Sequence, residues 1–181
     1  MVVQLLEGKR VNLRIVEEEE LGVFAEFLND PTVGSEYMPI LQQPKSAIKQ
    51  RYERLSPDEK WFFVEEKNSN IVGWISHSVI GGHMTIEYAL AQTARNRGYG
   101  TEAVMMMVDY LFLSRNIRRI QAEVLSVNVA SQRVLEKAGF TREGIKRKSS
   151  FVKGLWQDDV VFSILREEWA KPKILAHLAL Q

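Results

Sequence analysis

A chain of 181 residues, 45% hydrophobic and 26% charged, is long enough for one domain with a sizeable core. Its net charge of +1 gives no general attraction to nucleic acid or to an anionic membrane, so any basic site must be local. The absence of cysteine excludes disulfides, thiolate zinc sites and a cysteine nucleophile, and it fits a reducing, cytoplasmic setting. His77, His83 and His177 are too scattered to suggest a metal centre. No apolar run approaches the roughly 20 residues needed to span a bilayer, and the N-terminus lacks the layout of a signal peptide.

Val11, Leu13 and Ile15 alternate with Asn12 and Arg14, which predicts a first strand. Glu17 to Glu20 place acidic side chains at the positive end of a helix whose apolar side is Leu21, Phe24, Ala25, Phe27 and Leu28. Asn29-Asp30-Pro31 stops it. Thr32 to Gln43 read as a loop with an apolar tip of Tyr37, Met38, Ile40 and Leu41. A second helix is expected from Pro44 to Leu55. Three antiparallel strands then follow, carrying Trp61-Phe62-Phe63-Val64, Ile71 to Ile75, and Met84 to Ala91.

The last of these strands runs into Arg95-Asn96-Arg97-Gly98-Tyr99-Gly100-Thr101, and Val104, Met107, Val108 and Leu111 follow at helical spacing. Strand, glycine loop and helix in that order aim free backbone N–H groups at one point, and the helix dipole adds partial positive charge there. Three readings fit: a tight turn and nothing more, a dinucleotide fingerprint of the G-x-G-x-x-A kind, or an acetyl-coenzyme A loop. The fingerprint would require a strand near the start of a βαβ repeat and an acidic residue ending the next strand; neither is present. Ile117 to Leu125 predicts a further strand. Asn128 to Lys137 predicts a short helix ending at Gly139, and Phe140 to Arg166 two strands turning at Lys153-Gly154. Pro172 separates a tail, residues 171–181, in which Ile174, Leu175 and Leu178 suit a small docking helix; residues 1–170 form a single domain.

On the residues alone, Asn128 either caps its helix or hydrogen-bonds an amide-containing ligand at the helix end. Two segments together resemble the GNAT acetyltransferase superfamily: Arg95-x-x-Gly98-x-Gly100 and Asn128-x-x-Ser131…Glu136-Lys137-x-Gly139-Phe140. The opening Gly8 to Arg14 and the late Asp158…Phe162-Ser163…Glu168-Trp169 extend the resemblance over nearly the whole chain, toward the ribosomal-protein (Rim-type) N-acetyltransferase branch. That resemblance implies an α/β (α+β) fold with a mixed, mostly antiparallel central sheet of about seven strands and helices on both faces.

It also implies acetyl-CoA as cosubstrate, with pantetheine pairing along Tyr88, Ala89, Leu90 and Ala91. The pyrophosphate would sit on the N–H groups of Arg97 to Thr101, beside Arg95 and Asn96. Asn128 would bond the pantetheine arm and Ser131 would face the sulfur. The chemistry implied is direct attack of an amine on the thioester. The Leu90 N–H is the candidate oxyanion donor. Glu87, on the strand beside the reaction centre, is either the base, directly or through water, or a carboxylate paired with an arginine on a sheet face. Two departures stand out: Leu135 occupies a position where many relatives place an acidic tyrosine, and Glu87 occupies a common glycine position. Ser131 is the substitute acid.

The function expected is N-acetyl transfer to a primary amine, with a protein N-terminal α-amine favoured. Tyr37, Met38, Trp74, Phe151 and Trp156 are candidate walls of the acceptor site. The alternatives are a small-molecule amine such as a polyamine or aminoglycoside, or a non-catalytic coenzyme A sensor, which Leu135 motivates. Neither nucleic acid nor membrane is an expected partner, and a monomer or homodimer is expected.

Overall fold

The computed structural model describes residues 5–34, 37–39 and 42–178. Eight strands form one sheet: β1 (Leu5–Glu7), β2 (Val11–Ile15), β3 (Lys60–Glu66), β4 (Ile71–Ile80), β5 (His83–Leu90), β6 (Arg119–Leu125), β7 (Thr141–Val152) and β8 (Leu155–Leu165), in the spatial order β1-β2-β3-β4-β5-β6-β8-β7. The helices are α1 (Leu21–Asn29), α2 (Pro31–Gly34), α3 (Lys45–Glu53), α4 (Tyr99–Ser114) and α5 (Val129–Ala138). Every neighbouring pair is antiparallel except β5 and β6, which are joined through α4 and run parallel.

Alternation along the strands sends side chains to two cores. On one face Val11, Leu13, Phe62, Val64, Ile75, Met84, Ile86, Ile120, Ala122 and Val160 pack beneath α4 and α5. On the other, Phe63, Trp61, Trp74 and Ala89 pack against Leu21, Phe24 and Ala25 of α1 and Ile48 of α3. Phe24 stacks on Trp61 at 4.8 Å between centroids and meets the Trp74 ring edge-on at 6.1 Å. Helices therefore cover both faces.

The expected elements recur with three differences. A strand count of about seven becomes eight, because β1 precedes the predicted first strand and pairs with it from Leu5↔Arg14 to Glu7↔Asn12. Glu18–Glu20 form a tight 3-10 turn ahead of α1 rather than its first turn. The run taken as a loop from Thr32 holds instead the end of α2, whose first residue is Pro31. Asp30 Oδ1 accepts the Thr32 N–H at 2.7 Å, so the tripeptide that stops α1 also opens α2. The loop-tip residues Ile40 and Leu41 lie outside the described residues.

The tail is built into the core. Asp109, in the middle of α4 and 1% exposed, accepts hydrogen bonds from Trp169 Nε1 (2.8 Å) and from the backbone N–H groups of Lys173, Ile174 and Leu175 (3.1, 2.7 and 3.0 Å). Leu175 is fully buried, and the residues after it make a 3-10 turn, Ala176–Leu178.

Candidate active site

The site begins as a defect in the sheet. β5 and β6 pair only at Met84↔Ile120 and Thr85↔Gln121. Beyond that point β5 stays with β4 as far as Leu90↔Gly73, and β6 stays with β8 as far as Leu125↔Asp159, so the two halves diverge as a wedge. The Ala91 N–H donates to the Val72 carbonyl at 2.9 Å. Hydrogen-bonding direction alternates along a strand, so Tyr88 and Leu90 turn their backbone groups away from β4, toward the wedge. An extended ligand can pair with that edge as a strand would.

Gly98 caps α4 at φ +81°, in the left-handed region that favours glycine. The first intrahelical bond runs from the Glu102 N–H to the Gly98 carbonyl at 3.1 Å, which leaves the N–H groups of Tyr99, Gly100 and Thr101 without helical acceptors. Those groups and the positive end of the α4 dipole make an anion cradle at the mouth of the wedge. A Cβ on Gly100 would lie 3.4 Å from a Leu90 methyl and 3.7 Å from a Val134 methyl. Gly100 thus sets how closely α4 approaches β5 and α5.

The charges around the cradle are arranged differently from expectation. Arg95 turns back onto the fold: Nε and Nη2 bond the Leu90 carbonyl at 3.2 and 3.1 Å, and Nη2 bonds the Thr32 and Val33 carbonyls at 2.9 and 2.8 Å. It fastens the end of β5 to α2. Arg97 leans toward Glu66 at 3.4 Å, and Tyr99 donates its hydroxyl to the same Glu66 oxygen at 2.8 Å. These contacts hold the Glu66 carboxyl below the usual carboxylate range, the Tyr99 hydrogen bond contributing most. Asn96 stands at φ +61°.

Arg10 is a basic neighbour that sequence reasoning missed: its Nη1 bonds the Arg97 carbonyl at 3.0 Å, and a Cβ on Gly98 would lie 2.3 Å from that atom. Its backbone N–H is held by the buried Glu102 carboxylate at 2.7 Å. The spacing between Arg10 and the loop along the chain hides the contact.

On the far side of the wedge, Asn128 caps α5, its Oδ1 accepting the Ser131 N–H at 3.1 Å. Both earlier readings of Asn128 survive this, because the Oδ1 cap leaves the amide Nδ2 as a donor. The Ser131 hydroxyl meets the Tyr88 hydroxyl at 2.7 Å, so a side chain of β5 reaches across the wedge to the first turn of α5. Burial pushes the Tyr88 phenol up to about 12, against the downward pull of Ser131, and it stays protonated at neutral pH. Leu135 is fully buried and offers the wedge nothing.

Glu87 is exposed on the opposite sheet face, paired with Ser76 of β4. The acceptor candidates fall into two groups. Trp74 is 5% exposed inside the second core, and Met38 packs partly buried against that core, with Tyr37 half-buried beside it in the chain. Phe151 and Trp156 are 54% and 57% exposed near the tip of the β7–β8 hairpin, 5.4 Å apart. Trp74 is thus a core residue, and Phe151 and Trp156 form a separate aromatic pair on the hairpin that runs past the β6 end of the wedge. Among the described residues, no group of three His, Cys, Asp or Glu side chains is placed to hold a metal ion, and no helix is long and apolar enough to cross a membrane.

Residues 10–141 match the acetyltransferase (GNAT) domain family. The chain belongs to the GNAT acetyltransferase family. A probable N-acetyltransferase of Bacillus subtilis, YjcK, is 33% identical over 178 residues, spanning 91% of this chain and 98% of the relative. The Escherichia coli [ribosomal protein uS5]-alanine N-acetyltransferase is 27% identical over 113 residues, 62% of this chain and 56% of the relative. The crystal structure of a ribosomal-protein-S5-alanine acetyltransferase from Vibrio fischeri superimposes with a TM-score of 0.81 at 24% identity, covering 91% of this chain and 98% of that one, and so shares its fold. Acetyl-CoA is the cosubstrate of this GNAT family, and the chain is an N-acetyltransferase. The dinucleotide reading of the glycine loop is thereby set aside, and with it the non-catalytic sensor.

Proposed function

We propose that the protein transfers the acetyl group of acetyl-CoA to the α-amine of a polypeptide N-terminus. The observation that carries the coenzyme half of this reading is the wedge. The β5 edge at Tyr88 and Leu90 lacks a strand partner on the β6 side, and its Leu90 carbonyl is held by Arg95. That edge lies below the unpaired N–H groups of Tyr99, Gly100 and Thr101, with Asn128 and Ser131 on the opposite wall. A pantetheine amide chain suits the strand edge and a pyrophosphate suits the helix end. The Leu90 N–H stabilises the oxyanion formed when the amine attacks the thioester carbonyl. Glu87, directly or through water, accepts the proton that nitrogen sheds, and the Ser131 hydroxyl hydrogen-bonds the departing sulfur.

The choice of a peptide α-amine over a polyamine rests on charge at the hairpin, supported by the uS5-alanine relative. The hairpin that carries Phe151 and Trp156 also carries Arg142, Lys146, Arg147, Lys148 and Lys153, against Glu143, Asp158 and Asp159. A net positive hairpin repels a polycation and tolerates the single charge of a peptide terminus.

The test measures thiol release from acetyl-CoA with three acceptors: a peptide beginning with alanine, the same peptide blocked at its N-terminus but containing lysine, and spermidine. The proposal expects turnover with the free peptide and little with the other two. Equal rates with the blocked peptide, or a preference for spermidine, would overturn the choice of acceptor. A stability shift of about 2.7 kcal/mol is expected with acetyl-CoA at a hundred times its dissociation constant; its absence would overturn the coenzyme site.

A further inference from the structure

The hydroxyl pair across the wedge has a directionality that bears on the reaction proposed above, and the inference rests on that reading. Tyr88 has one hydroxyl hydrogen and two acceptors within reach: Ser131 Oγ at 2.7 Å and the Ser131 carbonyl at 3.3 Å. The first is of normal length for an O–H···O bond and lets either hydroxyl donate, whereas the second is long, so a phenol that gives its hydrogen to Oγ forgoes only the weaker bond. Among the described residues, Ser131 Oγ has no other hydrogen-bond partner. With Oγ accepting from Tyr88, the serine hydrogen is free to turn into the wedge. Two further constraints fix the serine: the Asn128 cap holds its backbone, and its position in the first turn of α5 puts it at the wall of the wedge.

We propose that Tyr88 is a positioning residue for acetyl transfer, holding Ser131 Oγ as an acceptor so that the serine hydroxyl donates to the sulfur that leaves. The nitrogen–carbon bond forms as the amine lone pair attacks the carbonyl. When the tetrahedral species collapses, the carbon–sulfur bond breaks and its electron pair stays on sulfur as a thiolate, which receives the Ser131 hydrogen bond. The proton shed by nitrogen leaves toward Glu87 and water. No proton changes owner at Tyr88, whose phenol acts as a fixed donor throughout. The arrangement supplies, from a strand, support for a leaving group that the buried Leu135 of α5 cannot provide.

A double-mutant cycle tests it: Tyr88→Phe, Ser131→Ala and the double variant, each assayed for kcat with the alanine peptide and for acetyl-CoA affinity by calorimetry. Tyr88→Phe keeps the ring and is expected to lower kcat about tenfold while the dissociation constant moves less than threefold. The double variant should be no slower than Ser131→Ala, because Tyr88 acts only through that hydroxyl. As a second probe, 3-fluorotyrosine at position 88 keeps the fold and strengthens the phenol as a donor, and should hold kcat at or above wild type.

Additive losses in the cycle, an unchanged kcat for Tyr88→Phe, or a fall with 3-fluorotyrosine would each overturn the role of Tyr88 while leaving the acetyltransferase reading intact. A wild-type protein that binds acetyl-CoA and releases no thiol with any acceptor would overturn both.

Discussion

His77 and Asp58 are joined by a hydrogen bond of 2.9 Å between the imidazole Nδ1 and the Asp58 carbonyl oxygen, which assigns the ring proton to Nδ1. The ring is completely buried between Phe62 and Tyr110, and Nε2 has no hydrogen-bond partner among the described residues. Burial pushes the imidazole down to about 4, the Asp58 bond opposing that shift and Arg115 and Lys60 adding to it. The folded state therefore holds His77 neutral, whereas an unfolded chain protonates it below about 6.5. Stability from this residue is complete above that pH and is lost as pH falls toward 4, by up to about 3 kcal/mol. Urea unfolding at pH 7.5, 5.5 and 4.5 measures the slope. His77→Gln, which does not titrate, should flatten it, and an identical slope in the variant would refute the assignment.

Asn128 allows its two roles to be separated by chemistry. Asn128→Ser retains a good capping group, so the melting temperature should stay close to wild type, whereas Asn128→Ala should cost about 1 kcal/mol. If Nδ2 also donates to the coenzyme, both variants lose acetyl-CoA affinity. Calorimetry showing full affinity in Asn128→Ser would leave Asn128 as a cap only.

Gly98→Ala forces a side chain into left-handed backbone and toward the Arg10 guanidinium. A stability loss of about 1 kcal/mol is expected from the backbone alone. Because that backbone shapes the cradle, acetyl-CoA should bind several-fold more weakly. Pairing the change with Arg10→Ala removes the crowding. Affinity that recovers in the pair would show that the arginine contact, and not the backbone, was responsible.

Asp109→Ala strips one acceptor group from four donors at once. Each buried donor left unsatisfied costs about 1–3 kcal/mol, and partial release of the tail relieves some of it, so a loss of at least about 3 kcal/mol is expected. Limited proteolysis should cut the variant between Trp169 and Leu178 well before the wild type. Equal resistance of the two would mean that the tail is held by Leu175 packing alone.

The parts of the fold legible in the sequence are those whose signal is local. Alternation in β2 and β5, the short apolar runs of β3 and β4, helical spacing in α4, and Gly139 as the left-handed end of α5 at φ +106° all depend on neighbours within a turn or a strand. β1 was not legible because its three residues are too few to show a period, and Leu5 is 37% exposed. Side-chain direction was harder still. Arg95 reads as a charge beside a phosphate loop, yet unpaired carbonyls at the ends of β5 and α2 compete for it. Trp74 reads as a wall, yet its opposite number on β5 is Ala89, and the small residue leaves room for α1 to close over it. Tyr88 shares a sheet face with Met84 and Ile86 through the period of two along β5, while its contact with Ser131 spans two elements that only the tertiary structure brings together.

The narrow joint between β5 and β6 has a mechanical corollary. A sheet continuous from β1 to β5 and from β6 to β7, stitched in the middle by so few rungs, behaves as two stiff plates with a compliant line between them. Strain applied to the molecule concentrates along that line, where amides have the fewest partners to lose. Anything lying along the free edges adds rungs where they are scarcest, so a slender occupant changes the rigidity of the whole sheet far more than its size would suggest.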